Sequence, residues 1–346
     1  MVDSVTVGKV GDVWNSGGDK LDTAKTMEWL VKQWTLNTEQ KRAFDIVASH
    51  TMKEKAAQLL MYLGGLGSTG KLRVLNVLRD FFSGIGESDR FRLAAYTGMA
   101  ARNIRGATLH SLLQMSKSGR RSSVKAKRKL RDMWDGVDYL FIDEVSMIGC
   151  EMLHNISSIL TEAKGKTCAF GGVNMILARD FTQLPPIGDV RLYKNINTCG
   201  TTSGASKCAQ AKVLGKLLWL SIETVVILQE VVRQGGVGNE QFVGLLHHMR
   251  TGVCTREDNE LLKGRVLREV DLSVDNKWRM APVIVSNNTT RDAINVRATH
   301  AFVERTGRNV QWYHALDMHK RSEIKDPVLI DNLERQHSGQ MKHRLR

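Results

Sequence analysis

An α/β fold with a mainly parallel sheet is the architecture this chain predicts, and three observations carry the prediction. Short apolar runs alternate with segments of helical periodicity; a glycine-rich loop joins one apolar run to a helix; and a later apolar run ends in two carboxylates. Strands that alternate with helices need crossover connections, which set neighbouring strands parallel and cover both faces of the sheet.

Residues 1–33 read as a polar lead-in with scattered Gly and Asp. A helix opens at Leu36-Asn37-Thr38-Glu39-Gln40, where Asn37 or Thr38 can cap and Leu36 can pack back on the first turn. The run at 58–63 reads as a buried strand. From 71 to 82 the apolar positions Leu72, Leu75, Leu78 and Phe82 recur at helical spacing. Further strands are expected at 91–96, 137–142, near 173–178 and near 224–228, with a helix after Thr97-Gly98. Beyond Gln234-Gly235-Gly236 the pattern turns helical at 240–250 and 255–266. One more β–α unit is expected at 282–285 and 288–306, and a further strand is expected to open at Gln311-Trp312-Tyr313.

Between the strand at 58–63 and the helix from 71 lies Gly65-Leu66-Gly67-Ser68-Thr69-Gly70-Lys71, the spacing of a phosphate-cradling loop. Glycines let successive backbone N–H groups turn inward, the helix N-terminus adds partial positive charge, and Lys71 reaches the β/γ-phosphates. Read alone, the segment also fits a plain glycine-rich turn. The strand ending in Asp143-Glu144 offers one acid for Mg²⁺ and one to polarise an attacking water. The segment at 177–186 ends the next strand. Its Gln183 carries an amide suited to orienting a water against a γ-phosphate, and Pro185-Pro186 stiffens the turn.

The chain has 346 residues, enough for two domains, with 42% hydrophobic and 25% charged residues, ordinary for a soluble globular protein. Five cysteines with no C-x-x-C pair argue against a disulfide framework or zinc site and for a reducing compartment. No apolar run spans a bilayer, and Met1-Val2-Asp3-Ser4 lacks the features of a signal peptide, so no membrane partner is expected. The net charge of +14 suits a polyanion such as nucleic acid. Lys117, Arg120, Arg121, Lys125, Lys127, Arg128, Lys129 and Arg131 concentrate that charge; the stretch suits DNA phosphates, a solvated face or a nuclear-import patch.

In this order, the motifs resemble the petite-integration-frequency type of DNA helicase, especially the helicase part of Helitron transposon proteins. The resemblance runs from about Trp34 to the C-terminus. It implies a RecA-like P-loop NTPase domain at 34–234, a helical segment at 235–278, and an incomplete second RecA-like lobe with a basic tail at 279–346. It implies ATP and Mg²⁺ as cofactors, single-stranded or forked DNA as partner, and a nuclear location. The activity implied is ATP hydrolysis coupled to strand separation, in recombination, repair, telomere maintenance or transposition. By that resemblance Gln40 would take the adenine-reading role, and Gly65, Gly67, Ser68, Thr69, Gly70 and Lys71 would form the ATP loop. It likewise implies that Asp143 holds the metal, Glu144 is the general base, Gln183 senses nucleotide and Arg233 stabilises charge on the γ-phosphate. Thr97 and His110 fall in motifs that grip single-stranded DNA, although His110 also suits a local cap.

Three departures from that family stand out. Ser68 occupies a position where the resemblance suggests Gly, and Leu72 one that calls for a hydroxyl ligand to Mg²⁺. Arg179 replaces the Gly before Asp180. Only the first β–α elements of a second lobe are recognisable after residue 278. These departures motivate the alternative of a catalytically impaired nucleotide- and DNA-binding remnant of a truncated transposon helicase.

Overall fold

The computed structural model describes residues 23–115, 124–195, 207–232, 238–266, 281–311, 318–319, 322–323 and 326. The chain divides into two compact units, Met1–Thr255 and Arg256–Arg346.

In the first unit, the elements run α1 (Thr23–Gln33), α2 (Thr38–Thr51), β1 (Leu60–Gly65), α3 (Lys71–Gly84), β2 (Phe91–Ala95), α4 (Gly98–Asn103), β3 (Ala107–Thr108) and α5 (Leu109–Leu112). They continue with α6 (Val124–Trp134), β4 (Tyr139–Asp143), α7 (Cys150–Lys164), β5 (Asn174–Arg179), α8 (Lys207–Leu220), β6 (Thr224–Leu228) and α9 (Glu240–Thr251). The six strands form one sheet in the order β3-β2-β4-β5-β1-β6, every pair parallel.

Both faces of the central strands β1, β5 and β4 are buried, whereas the edge strand β6 exposes Val225 and Ile227. Along β4, Tyr139 and Phe141 join a core with Phe44, Val47, Leu75, Leu78 and Phe82 from α2 and α3. Leu140 and Ile142 point into a second core with Trp134, Leu153, Ile156 and Leu160 from α6 and α7. This is the period-2 alternation of a strand between two helical layers. In the first layer the Phe82 ring stacks on Phe91 at a centroid distance of 4.8 Å and leans on Tyr139.

At the lower end of β5, Asn174 is almost fully buried. Its Oδ1 accepts from Leu59 N at 2.8 Å and its Nδ2 donates to Asp138 O at 3.0 Å. One side chain therefore ties β5 to the approaches of both neighbouring strands.

Helix α1 occupies the end of the polar lead-in, and Leu30 enters the core beside Met27 and Trp29. The helix at 240–251 falls within the first compact unit, Met1–Thr255.

The second unit, within its described residues, holds α10 (Arg256–Lys263), α11 (Asn288–Thr306) and the two-residue strands β7 (Met318–His319) and β8 (Ser322–Glu323), paired antiparallel. The strand expected at 282–285 does not form: the segment is irregular and Ile284 is 97% exposed, with no strand among the described residues paired to it. Gln311 is irregular, and the residues following it at 312–317 lie outside the described residues. No helix among the described residues is long and apolar enough to cross a membrane.

Candidate active site

The site is assembled where β1, β5 and β4 end side by side. Across their parallel registers Gly64 lies beside Arg179, and Asp143 beside Ala178. The strand that enters the glycine loop and the strand that delivers Asp143-Glu144 are therefore separated by β5 alone.

Backbone geometry explains the loop's composition. Gly70 adopts φ +85°, and a Cβ there would collide with Gln40 Nε2. At Gly65, φ is +148° and a Cβ would lie 2.6 Å from the Leu228 carbonyl oxygen. Ser68 also sits at φ 72°, so the position favours the Gly that the family resemblance suggests. Serine holds it at a cost of about 1 kcal/mol, and the Ser68 carbonyl is fastened by Val232 N at 2.9 Å. Arg233, the next residue, lies outside the described residues.

Gln40 is fully buried beneath the loop. Asn37 caps α2 in a reciprocal box with it: Gln40 N donates to Asn37 Oδ1, and Asn37 N to Gln40 Oε1. Gln40 Nε2 donates to Thr69 O at 3.0 Å. In this state its amide braces the loop. Thr69 is itself buried, with Oγ1 donating to Leu66 O.

Lys71 Nζ donates to Gly65 O at 2.8 Å and Leu66 O at 2.7 Å, folded over its own loop. Burial lowers its ammonium to about 8, opposed by Asp180 and Asp143. A bound polyphosphate favours the charged form, so nucleotide affinity is expected to fall as pH rises through about 8, by up to about tenfold per unit. Titrating a fluorescent ATP analogue from neutral to alkaline pH checks this; an Lys71→Arg variant, charged throughout, should give a flat profile.

Asp143 ends β4 half-buried, and its Oδ1 accepts from Glu144 N at 2.9 Å. Burial raises its carboxyl, with Arg179 and Lys71 opposing. Glu144 is left-handed at φ 64°, the kind of strain that over-determined functional turns retain. Its Oε2 pairs with Arg179 Nη1, both side chains being largely buried.

Beside them, Asp180 is only 3% exposed and accepts both N–H and O–H of Thr182, closing the turn that carries Gln183. Arg250 Nη1 reaches both Asp180 oxygens at 2.7 Å. Burial pushes the Asp180 carboxyl up, but Thr182 and Arg250 outweigh it and hold it below its ordinary value. Gln183 is exposed at the loop: a Cβ built on Gly67 would sit 3.6 Å from its Nε2. These elements and α9 border a cleft of about 800 Å³ whose walls include Gly67, Ser68, Asp180, Thr182, Val243 and Arg250.

The residues expected to meet DNA follow β2 and β3, three and four strands away from β1 in the sheet. Thr97 follows β2 and caps α4, accepting from Ala100 N at 3.2 Å. His110 is exposed on α5, edge-on to Tyr96 at 6.0 Å. Of the basic stretch, Lys125, Lys127, Arg128, Lys129 and Arg131 lie exposed on α6, with Lys127 paired to Glu162. Lys117, Arg120 and Arg121 fall outside the described residues.

As a metal site the arrangement fits an ion that arrives with phosphates. No cluster of three or more His, Cys, Asp or Glu is present among the described residues, so there is no all-protein cage. Asp143 offers a carboxylate whose burial a cation would relieve, while Leu72, 39% exposed in the first turn of α3, offers no oxygen. Mg²⁺ retains waters and phosphate ligands and needs only one or two carboxylates.

A parallel sheet of this strand order with a glycine loop at β1 and acids at the adjoining strand ends defines a RecA-like P-loop nucleotide-binding domain. The chain belongs to the PIF1-like helicase family, whose model matches residues 35–260. The ATP-dependent DNA helicase PIF7 of Trypanosoma brucei brucei is 29% identical over 67% of this chain and 22% of that protein. The ATP-dependent DNA helicase PIF1 of Xenopus laevis is 27% identical over 88% of this chain and 42% of that protein. The chain thus spans less than half the length of these relatives. Among solved structures, a double mutant of Pif1 helicase from Bacteroides matches with TM-score 0.53 at 23% identity, over 76% of this chain and 56% of that one. The Bacteroides Pif1 complex with ADP-AlF3 and ssDNA matches with TM-score 0.52 at 21% identity, over 80% and 58%. These two likenesses bear on the fold.

Proposed function

We propose that this chain is the ATP-binding part of an ATP-dependent DNA helicase that hydrolyses ATP with Mg²⁺ and separates DNA strands. The observation that carries the reading is the convergence of Lys71, Asp143, Glu144 and the Gln183 turn on three adjoining strand ends.

In this reading Lys71 leaves the Gly65 and Leu66 carbonyls for the phosphates, while loop N–H groups line the triphosphate. Mg²⁺, when bound, neutralises phosphate charge; Asp143 holds it. Glu144 orients the attacking water, Gln183 senses the γ-phosphate, Arg233 stabilises its developing charge, and Gln40 turns from Thr69 to the adenine. Single-stranded or forked DNA runs over the ends of β2 and β3, where Thr97 and His110 stand. Family membership and the net charge of +14 support DNA as partner and the nucleus as location.

The test is ATPase activity of the chain with and without single-stranded DNA. Stimulation by DNA is expected, and Leu72→Ser, which restores a hydroxyl to the metal, should raise turnover about tenfold. Absence of DNA-stimulated turnover in both proteins would overturn the helicase reading for this chain.

A further inference from the structure

Arg179 ends β5 in the gap between the strand carrying Asp143 and the strand entering the glycine loop. Its guanidinium pairs with Glu144 and lies within electrostatic reach of Asp143 and Asp180. Its side chain is 13% exposed, and its buried Nε has no hydrogen-bond partner. Tyr62 Oη donates to the Arg179 carbonyl at 2.8 Å, fixing the backbone from β1.

Among the described residues at this end of the sheet, Lys71, Arg179 and Arg250 face Asp143, Glu144 and Asp180. The set is neutral with Arg179 and carries one excess negative charge without it. A triphosphate entering a negative site is repelled unless a cation intervenes, and charges at partly buried positions interact several times more strongly than in water. Leu72 withdraws an oxygen ligand from the divalent ion that normally intervenes. Arginine supplies a charge that persists at all relevant pH values.

We propose that Arg179 is a nucleotide-site cation that takes over part of the metal's neutralising role, so that the chain binds ATP without divalent metal. The inference rests on reading this cluster as an ATP site. It joins the Leu72 and Arg179 departures into one compensated change.

Titration with a fluorescent ATP analogue in excess EDTA and in excess Mg²⁺ tests it. Wild-type affinities in the two conditions should agree within about threefold, whereas Arg179→Gly should lose about tenfold in EDTA and much less in Mg²⁺. Arg179→Lys should keep most metal-free binding. Adding Glu144→Gln to Arg179→Gly restores neutrality and should restore metal-free binding; thermal melts confirm that each variant is folded. The proposal is overturned if Arg179→Gly keeps the wild-type ratio between conditions, or if the double variant binds as weakly in EDTA as Arg179→Gly. Binding indifferent to Lys71→Ala in both conditions would instead overturn the ATP-site reading.

Discussion

Replacing Lys71 with alanine is expected to lower ATP turnover by about 10²–10³-fold, the loss that follows removal of one preorganised charge aimed at a reacting group. The Lys71 ammonium already sits at the mouth of the loop, held by the Gly65 and Leu66 carbonyls. A polyanion binding there exchanges two neutral acceptors for a charged one, adding ion–ion attraction to hydrogen bonds that the ammonium already makes charge-assisted. Alanine removes that exchange while favouring helix in the first turn of α3. Melting temperature should therefore stay near wild type as turnover and nucleotide affinity collapse. An Lys71→Ala protein with ordinary turnover would move the chemistry away from the glycine loop.

Arg250→Ala is expected to destabilise the fold by about 3 kcal/mol, the lower part of the range for breaking a buried ion pair, because Arg250 itself is partly exposed. Asp180 would keep only Thr182 for its buried carboxylate. The pH dependence gives an independent check. With its folded pKa depressed, Asp180 contributes stability above the ordinary carboxylate range, and that contribution disappears as pH falls through the folded value. Wild type should therefore lose stability more steeply than Arg250→Ala between pH ~5 and ~3 in urea melts. Parallel curves would mean that the pair contributes nothing to the fold. Turnover should fall too, since the Asp180 turn positions Gln183.

Much of the sheet was legible because β1, β4 and β5 are apolar on both faces, the pattern of a covered parallel sheet. The glycine loop and the Asp143-Glu144 end were legible because their residue types are scarce substitutes for one another. The helix α1 was not, since the Gly and Asp residues before it dominate the composition of 1–33, while Leu30, Met27 and Trp29 disclose their role only once a core exists to receive them. At 282–285 the error ran the other way: an apolar run predicts a strand only if a partner is available, and periodicity carries no information about partners. Arg250 carries no local sequence signal, because its ion pair joins residues 70 positions apart on elements of different type. Arg179 was visible as an unusual residue, but its contact with Glu144 is a property of two strand ends meeting.

The two-sided apolar character of β5 has a consequence at the other end of the strand. Shifting β5 by one residue would exchange Met175 and Leu177 with Ile176 and Ala178, apolar residues for apolar residues, so burial alone discriminates weakly between the two alignments. The same shift would move Asp180 into the place of Arg179 beside Gly64 and reverse the sign of the charge next to the glycine loop. Asn174 is the index pin that forbids it, because only one alignment lets its amide serve Leu59 and Asp138 together. The electrical polarity of the reacting end is thus set by a neutral side chain about 16 Å away, five residues down the strand at about 3.3 Å each.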